Sequence, residues 1–263
     1  PALLAGCTVV LKPAAETPLS ANLLAEAFAE AGLPEGVLSV VPGGVETGQA
    51  LTSNPAVDLF SFTGSSAVGK EIGRRAADML KPCTLELGGK SAAIVLDDVD
   101  LASSIPMLVF SGIMNTGQAC VAQTRILAPR SRYDEIVEAV STFVQALPVG
   151  PPSDAAAQIG SLISEKQRSR VEGYIAKGIE EGARLVCGGG RPEGLDGGFF
   201  VQPTVFADVD NKMTIAQEEI FGPVLSIIGY DTEEDAIKIA NDSVYGLAGS
   251  VWTQPTGTIS RIV

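Results

Sequence analysis

The residue best suited to covalent chemistry is Cys120, which lies in a short loop. Residues 115–120 have the sequence NTGQAC, small and polar, between an apolar segment and a strand-like one. Gly117 permits backbone angles that other residues resist. Because loops on rigid scaffolds often carry function, the thiol is a candidate nucleophile. A free cysteine is more often a buried packing residue, so the loop by itself leaves both interpretations open.

The chain contains no histidine. A Ser-His-Asp triad, a Cys-His dyad and a histidine-ligated metal are therefore excluded within this polypeptide. A general base must then be a carboxylate, a lysine or a rarer group. Glu86 is a candidate because it lies in the apolar stretch 84–87, just before Gly88 and Gly89. Desolvation there would make its carboxylate a stronger base; the alternative is a strand carboxylate in an ion pair or bonded to backbone.

Three other sites have features typical of ligand contacts. Gly64 and Ser65 follow a strand-like stretch and open a helix, where N–H groups and the helix dipole favour phosphate. Their spacing is not G-x-G-x-x-G, so a structural turn is an equal alternative. Lys12 ends the first predicted strand, where α/β sheets place ligand contacts, but surface lysines are common there too. Glu219, before an Ile-Phe-Gly-Pro turn, is either functional or part of a solvated acidic loop.

Composition limits the class of protein and its partners. The 263-residue chain has a formal net charge of -13, which argues against nucleic acid and anionic membranes as partners. No apolar run approaches the length of a membrane span, and no signal-peptide pattern is present. The four cysteines are scattered without a C-x-x-C pair, which favours free thiols in a reducing cytoplasm over disulfides or a zinc cluster.

The order of apolar stretches and glycine turns predicts an α/β fold with a doubly wound parallel sheet. Strands are expected at 8–12, 38–41, 58–63, 84–87, 92–96, 124–128, 184–187, 203–206, 224–228 and 250–252. Helices are expected at 18–32, 46–51, after 64–69 to about 80, 101–115, 133–147, 164–181 and 233–241. A second α/β segment begins at Gly88-Gly89, which indicates a domain boundary there. The first strand lies so near Pro1 that we expect the chain to begin, and at Val263 to end, within a domain.

Taken together, five segments resemble the aldehyde dehydrogenase superfamily in order and in spacing. They are TVVLKP at 8–13, FTGS at 62–65, LELGGK at 85–90, GQAC at 117–120 and EEIFGP at 218–223. The resemblance implies a partial Rossmann-like cofactor domain at 1–88 and a partial α/β catalytic domain at 89–263. It also implies an NAD(P)-dependent enzyme that oxidises a small-molecule aldehyde and, at full length, assembles as a dimer or tetramer.

The resemblance also assigns roles to single residues. Cys120 would attack the aldehyde, hydride would pass to the nicotinamide cofactor, and Glu86 would help water hydrolyse the thioester. The predicted cofactor contacts are Lys12 at the adenosine ribose, Gly64 and Ser65 at the pyrophosphate, Glu219 and Phe221 at the nicotinamide ribose, and Gln167 on the adenosine side. Gly69, Leu87 and Gly88 complete this set. No metal ligand is expected.

Three departures from the family pattern matter for function. Ala15 stands where NAD-selective enzymes commonly carry an acid, so both NAD and NADP are candidates. The family's Trp-Asn segment, which supplies a second oxyanion donor, and its terminal strands are not found in 1–263. We therefore expect weak or no dehydrogenase activity from this chain alone. The alternative function is a non-catalytic fragment that retains cofactor binding or a thiol esterase activity.

Overall fold

The computed structural model describes residues 1–254, and these residues form two compact units. The first unit is Pro1–Leu87, and the second begins at Gly88. The predicted end of the catalytic domain at Val263 lies outside the described residues. Within residues 1–254, no helix is both long enough and apolar enough to cross a membrane.

The first unit alternates strands and helices in the predicted order. Its elements are β1 (Val9–Leu11), α1 (Pro18–Glu30), β2 (Leu38–Val40), α2 (Val45–Thr52), β3 (Phe60–Thr63), α3 (Ser66–Asp78) and β4 (Cys83–Glu86). β1 pairs with β2, and β3 pairs with β4, each in parallel. Within this unit the strands therefore form two separate two-stranded sheets instead of one continuous sheet.

In the first unit, α1 begins at the predicted residue, whereas α3 begins earlier than predicted. Thr17 occupies the N-cap position of α1, but its side chain makes no capping hydrogen bond, and Pro18 is the first helical residue. α3 begins at Ser66, earlier than expected, because the Ser65 hydroxyl accepts the Val68 N–H at 3.4 Å. The glycine turn is therefore shorter than the sequence suggested, and Gly69 lies inside the helix.

The second unit is built around one six-stranded sheet. Its elements are β5 (Ala92–Val95), α4 (Leu101–Ile113), β6 (Arg125–Pro129), α5 (Tyr133–Gln145), α6 (Glu165–Glu180), β7 (Arg184–Cys187), β8 (Thr204–Ala207), α7 (Thr214–Gln217), β9 (Val224–Tyr230), α8 (Glu233–Asn241) and β10 (Gly249–Trp252). The strand order is β10-β5-β6-β9-β8-β7. All neighbours are parallel except β7, which runs antiparallel to β8.

Adjacent residues of the central strands point to opposite faces of this sheet, and both faces are covered. Ile126 of β6 and Ile227 of β9 belong to a core cluster with residues of α4 and α5. Leu127 and Ile228 belong to a second cluster with residues of α6 and α8. A sheet buried on both faces needs strands that are apolar throughout, which explains the near-continuous apolar runs in the sequence.

Arg125 is a buried cation at the start of β6, and its guanidinium joins three parts of the second unit. Nε donates to the Lys90 carbonyl at 2.9 Å, and Nη1 donates to Asn211 Oδ1 at 3.0 Å. Nη1 and Nη2 also donate to the carbonyls of Ile239 and Ala240 at 2.9 and 2.8 Å. Burial lowers the pKa of Arg125, and Asp242 partly offsets this effect. Removal of this side chain would leave several buried acceptors unpaired.

We therefore predict that Arg125→Met lowers the free energy of unfolding by about 3 kcal/mol. Arg130→Met is the matched control, because Arg130 forms an exposed ion pair with Asp231 at 3.4 Å and lies 5.9 Å from the centre of the Tyr133 ring, without a network of buried acceptors. That control should change the free energy by about 0.5 kcal/mol or less. Urea unfolding of both variants checks the prediction, and similar losses in the two would contradict it.

Candidate active site

The Cys120 loop has an unusual backbone. α4 ends at Ile113, and a 3-10 turn follows over Met114–Gly117. Asn115, Thr116 and Gly117 have φ values of 51°, 58° and 71°, all in the left-handed region. Only glycine adopts such angles freely, so the two preceding residues are strained. The surrounding contacts must hold this conformation.

Polar side chains of the loop supply that support. Thr116 Oγ1 accepts the Gly160 N–H at 3.0 Å, and Gln118 Oε1 accepts the Ile163 N–H at 3.0 Å. Asn115 Nδ2 donates to the Gln118 carbonyl at 3.1 Å. The sequence singled out these residues as loop polar groups, and the structure shows that they fix the loop itself.

Close backbone contacts place the loop against two other segments. A Cβ on Gly117 would collide with the Gly222 carbonyl, and a Cβ on Gly89 would collide with the Cys120 carbonyl. Glycine is therefore the residue that fits at both positions. The Cys120 loop lies directly on the backbone at Gly222 and at Gly89.

Cys120 itself is half-buried and is a free thiol. Within residues 1–254, its backbone N–H donates to no protein acceptor, so that group is available to a ligand. Ala119 beside it is half-buried, and Val121 is 42% exposed. Cys120 thus has two apolar neighbours in sequence and one free hydrogen-bond donor on its own backbone.

The Glu219 carboxylate rests against the glycine pair. Oε1 accepts the Gly89 N–H at 3.2 Å, and a Cβ on Gly88 would lie 2.6 Å from Oε2. Phe221, two residues on, has a φ of 60° and is 36% exposed. Gly88, Glu219 and Phe221, all predicted cofactor contacts, thus lie on two neighbouring segments of the second unit.

Gln167, on α6, is also at this turn. Its Nε2 donates to the carbonyls of Ile220 and Phe221 at 3.0 and 2.8 Å. The structure therefore brings Gln167 together with the Glu219 turn and engages both hydrogens of its amide. Its predicted role on the adenosine side stays a prediction.

Lys90 is a feature that the sequence interpretation missed. It is 2% exposed, and in the described part of the chain its Nζ has no hydrogen-bond partner. Burial, with a smaller effect of Arg125, lowers its pKa to about 7, against the opposing influence of Glu219 and Glu218. The apolar strand that follows at Ala92 was a signal for this burial.

In the first unit, the structure corrects the expected environment of Glu86. It is the last residue of β4, and its side chain is exposed, not desolvated. Burial alternates along β4, so Cys83 and Leu85 face the covered side, while Thr84 and Glu86 face outward. The expected desolvation of Glu86 in the apolar stretch 84–87 was therefore wrong.

The other predicted cofactor residues of the first unit lie at strand ends and on α3. Lys12 follows β1, and its Nζ donates to the carbonyls of Pro13 and Gly43 at 2.6 and 3.2 Å. Gly64 follows β3, and its N–H donates to the Glu86 carbonyl at 3.0 Å.

Two further members of the set pack together. Gly69 is buried in α3, and a Cβ there would collide with the Leu87 side chain. Ser65 caps the same helix. Across residues 1–254, no group of three or more Cys, Asp and Glu side chains is placed to hold a metal ion.

Comparison with known proteins decides the family. The model of the aldehyde dehydrogenase family matches residues 1–263, the entire chain. The chain belongs to the aldehyde dehydrogenase family. The match confirms the family that the five sequence segments predicted.

Solved structures of aldehyde dehydrogenases share the fold. The structure of a Mycobacterium tuberculosis aldehyde dehydrogenase complexed with NAD+ is 86% identical, with a TM-score of 0.95, over 96% of this chain and 52% of that one. A cysteine-to-alanine mutant of aldehyde dehydrogenase C from Pseudomonas syringae, complexed with NAD+ and octanal, is 45% identical, with a TM-score of 0.93. This match covers 95% of the present chain and 52% of the Pseudomonas syringae chain. These likenesses confirm the predicted α/β fold class.

Curated relatives agree with this assignment. Geranial dehydrogenase from Castellaniella defragrans is 56% identical over 253 residues, which are 96% of this chain and 52% of the relative. The chain spans about half the length of the curated aldehyde dehydrogenases that it matches.

We predict that Gly117→Ala destabilises the fold more than Gly182→Ala does. Both glycines have positive φ, 71° and 93°, but a Cβ on Gly182 meets nothing within 4 Å. In the control, Gly182→Ala, the free energy of unfolding should therefore fall by about 1 kcal/mol, because only the backbone conformation becomes less favourable. Gly117→Ala also creates a collision with the backbone, so its free energy of unfolding, measured in urea, should fall by roughly 3 kcal/mol. Equal losses would mean that the contact with Gly222 is not tight.

Proposed function

We propose that this chain carries the residues for NAD(P)-dependent oxidation of an aldehyde to a carboxylic acid, with Cys120 as the nucleophile. The observation that carries the proposal is the placement of Cys120, a half-buried thiol on a tightly held loop with a free backbone N–H. Membership of the aldehyde dehydrogenase family supplies the reaction class.

The first step forms a covalent bond at Cys120. Its thiolate attacks the aldehyde carbonyl carbon, a C–S bond forms, and the carbonyl electron pair moves to oxygen. The backbone N–H of Cys120 can donate to that oxyanion. As the oxyanion collapses to a C=O, hydride leaves the same carbon and a thioester remains on Cys120. A thiolate suits both steps because it is a strong nucleophile and a good acyl leaving group.

The second step regenerates the thiol. Glu86 accepts a proton from water while the water oxygen attacks the thioester carbonyl. The C–S bond then breaks, which releases the carboxylic acid and returns the electron pair to the Cys120 sulfur. The exposed carboxylate of Glu86 is open to water, which suits this role.

The cofactor residues of the first unit suit the phosphate side of a dinucleotide. The 13-residue helix α3 begins at a glycine turn, with Ser65 as its cap. A helix N-terminus of this kind favours phosphate through its N–H groups and its dipole. We assign Gly64 and Ser65 to the pyrophosphate and Lys12 to the adenosine ribose; Gly69 and Leu87 shape the backbone nearby.

The cofactor residues of the second unit suit a ribose. Glu219 offers a carboxylate fixed on one oxygen by Gly89, which leaves acceptor capacity for ribose hydroxyls. Gly88 lies against this carboxylate, Phe221 is on the same turn, and Gln167 holds that turn. A bound nicotinamide supplies the hydride acceptor for the first step.

NAD is the better-supported cofactor. The structure of the 86% identical Mycobacterium tuberculosis protein is described as a complex with NAD+. Ala15, which offers no charge to repel a 2′-phosphate, keeps NADP as the second candidate.

We propose an apolar aldehyde as substrate. The neighbours of Cys120 in sequence, Ala119 and Val121, are apolar, and Val121 is 42% exposed. The names of two similar proteins fit this class, since one is a geranial dehydrogenase and another was solved with octanal.

We further propose that residues 1–88 are part of a cofactor domain and 89–263 part of a catalytic domain. Four free cysteines favour a reducing cytoplasm, and the net charge of -13 disfavours nucleic acid and anionic membranes. A homo-oligomer at full length is the expected assembly.

Cys120→Ala should abolish the burst of p-nitrophenol that the chain releases from p-nitrophenyl acetate. Ester hydrolysis needs the nucleophile but no hydride acceptor, so it isolates the thiol chemistry. Cys7→Ala is the matched control, because Cys7 is an exposed free thiol of the first unit. A burst that survives Cys120→Ala would refute the nucleophile. A Cys120-dependent burst without any cofactor reduction would support the alternative of a thiol esterase.

Glu86→Gln should slow thioester hydrolysis by a factor of about 100 to 10,000, because a positioned general base is lost. The pre-steady-state burst with p-nitrophenyl acetate should remain, since Cys120 is intact. Stopped-flow absorbance separates the burst from the slower turnover. Glu71→Gln, an exposed carboxylate paired with Arg75 on α3, is the control and should leave both phases unchanged. Loss of the burst in Glu86→Gln would contradict a role confined to hydrolysis.

A further inference from the structure

One face of α6 presents polar side chains to the turn that carries Glu219. Gln167, Arg170 and Tyr174 are spaced by three and four residues, which places them on the same side of the helix. All three contact the turn at 218–221 or its side chains. The helix therefore meets the turn through several separate contacts along its length.

The first set of contacts holds the turn's backbone. Arg170 Nη2 donates to the Glu219 carbonyl at 2.6 Å. Gln167 holds the next two carbonyls, those of Ile220 and Phe221. Three successive carbonyls therefore accept hydrogen bonds from a single helix. Such a set restricts the rotation of the peptide units on both sides of residue 220.

The second set of contacts orients Arg170 itself. Tyr174 Oη donates to Glu218 Oε2 at 2.6 Å, and Arg170 Nη2 lies 3.3 Å from Tyr174 Oη. The guanidinium carbon is 5.1 Å from the centre of the Tyr174 ring, a cation–π distance. Burial, together with the hydrogen bond to Glu218, raises the pKa of Tyr174 to about 12. The hydroxyl therefore stays protonated and continues to donate at neutral pH.

The turn needs such support because its backbone is strained. Phe221 has a φ of 60°, which is unfavourable for an aromatic residue. Gly222 packs so closely on α6 that a Cβ there would collide with Val171. The Glu219 carboxylate itself accepts the Gly89 N–H. α6 therefore holds the main chain of Glu219, and Gly89 holds its carboxylate.

We propose that Arg170, oriented by Tyr174, is a positioning residue that holds the Glu219 carboxylate in place for the cofactor ribose. The proposal rests on the proposed function of Glu219. Arg170 acts through the Glu219 main chain, so its loss should matter only as long as the Glu219 carboxylate is present.

NAD+ titration of the chain tests the proposal. Arg170→Ala should weaken NAD+ binding about tenfold, the usual effect of losing one hydrogen bond from a charged donor, and Arg170→Lys should restore part of it. Arg168→Ala is the matched control: it removes the same group from the same helix, but Arg168 contacts Gly198 and Phe199 instead of the turn. The control should bind NAD+ within about twofold of the unchanged chain. Equal weakening in Arg170→Ala and Arg168→Ala would overturn the proposal.

A double variant separates positioning from a general loss of structure. Arg170→Ala combined with Glu219→Gln should bind NAD+ no more weakly than Glu219→Gln alone, because interacting residues are non-additive. Full additivity of the two changes would overturn the proposal.

A measurement without cofactor tests the positioning role of Arg170 separately from the proposed cofactor role of Glu219. The Gly89 amide should exchange its hydrogen several-fold faster in Arg170→Ala, because the Glu219 acceptor is no longer held, and at an unchanged rate in Arg168→Ala. If the unchanged chain binds no NAD+, the proposed role of Glu219 fails, and Gly89 exchange alone decides whether Arg170 positions it. Equal exchange in all three proteins would overturn the positioning role.

Discussion

Close contact of two glycines with neighbouring backbone is the constraint on which the candidate site depends. Gly117 lies on the Gly222 carbonyl, and Gly89 lies on the Cys120 carbonyl, at distances that leave no room for a Cβ. These contacts join the Cys120 loop, the Glu219 turn and the Gly88–Gly89 segment. Since no side chain separates them, a shift in one segment must be transmitted to the others. The geometry around the thiol is therefore a property of all three segments together.

Buried charge is the second organising feature of this region. Arg125 and Lys90 are basic residues with almost no exposure. Lys90 follows the glycine pair in sequence, and Arg125 donates to the Lys90 carbonyl. Arg125 is fully engaged with backbone and amide oxygens, whereas Lys90 has a depressed pKa and, within residues 1–254, no hydrogen-bond partner. Glu219 and Glu218 are the acids that oppose this depression. The charged form of Lys90 therefore attracts the Glu219 carboxylate, which also accepts the Gly89 N–H.

Much of the fold was predictable from the sequence, because apolar periodicity and glycine turns report directly on strands and helices. β5, β6 and β9 are apolar runs, and α6 begins at Glu165, one residue after its predicted start. Motif order likewise predicted the family. The environments of single side chains were harder to predict. Glu86 is exposed because one face of β4 is uncovered. Which face of a strand is covered depends on tertiary packing and cannot be read from the neighbouring residues. The strained angles of Asn115 and Thr116 also depend on distant partners, Gly160 and Ile163 among them.

The covalent role of Cys120 is tested most directly by rapid-quench mass spectrometry of the chain mixed with NAD+ and an apolar aldehyde. At the low rate expected of this chain, an acyl group should form on the peptide that contains Cys120, in step with reduced cofactor, and be lost as the carboxylic acid appears. An acyl group on Cys7, Cys83 or Cys187 instead, or reduced cofactor without any acylated cysteine, would contradict that role.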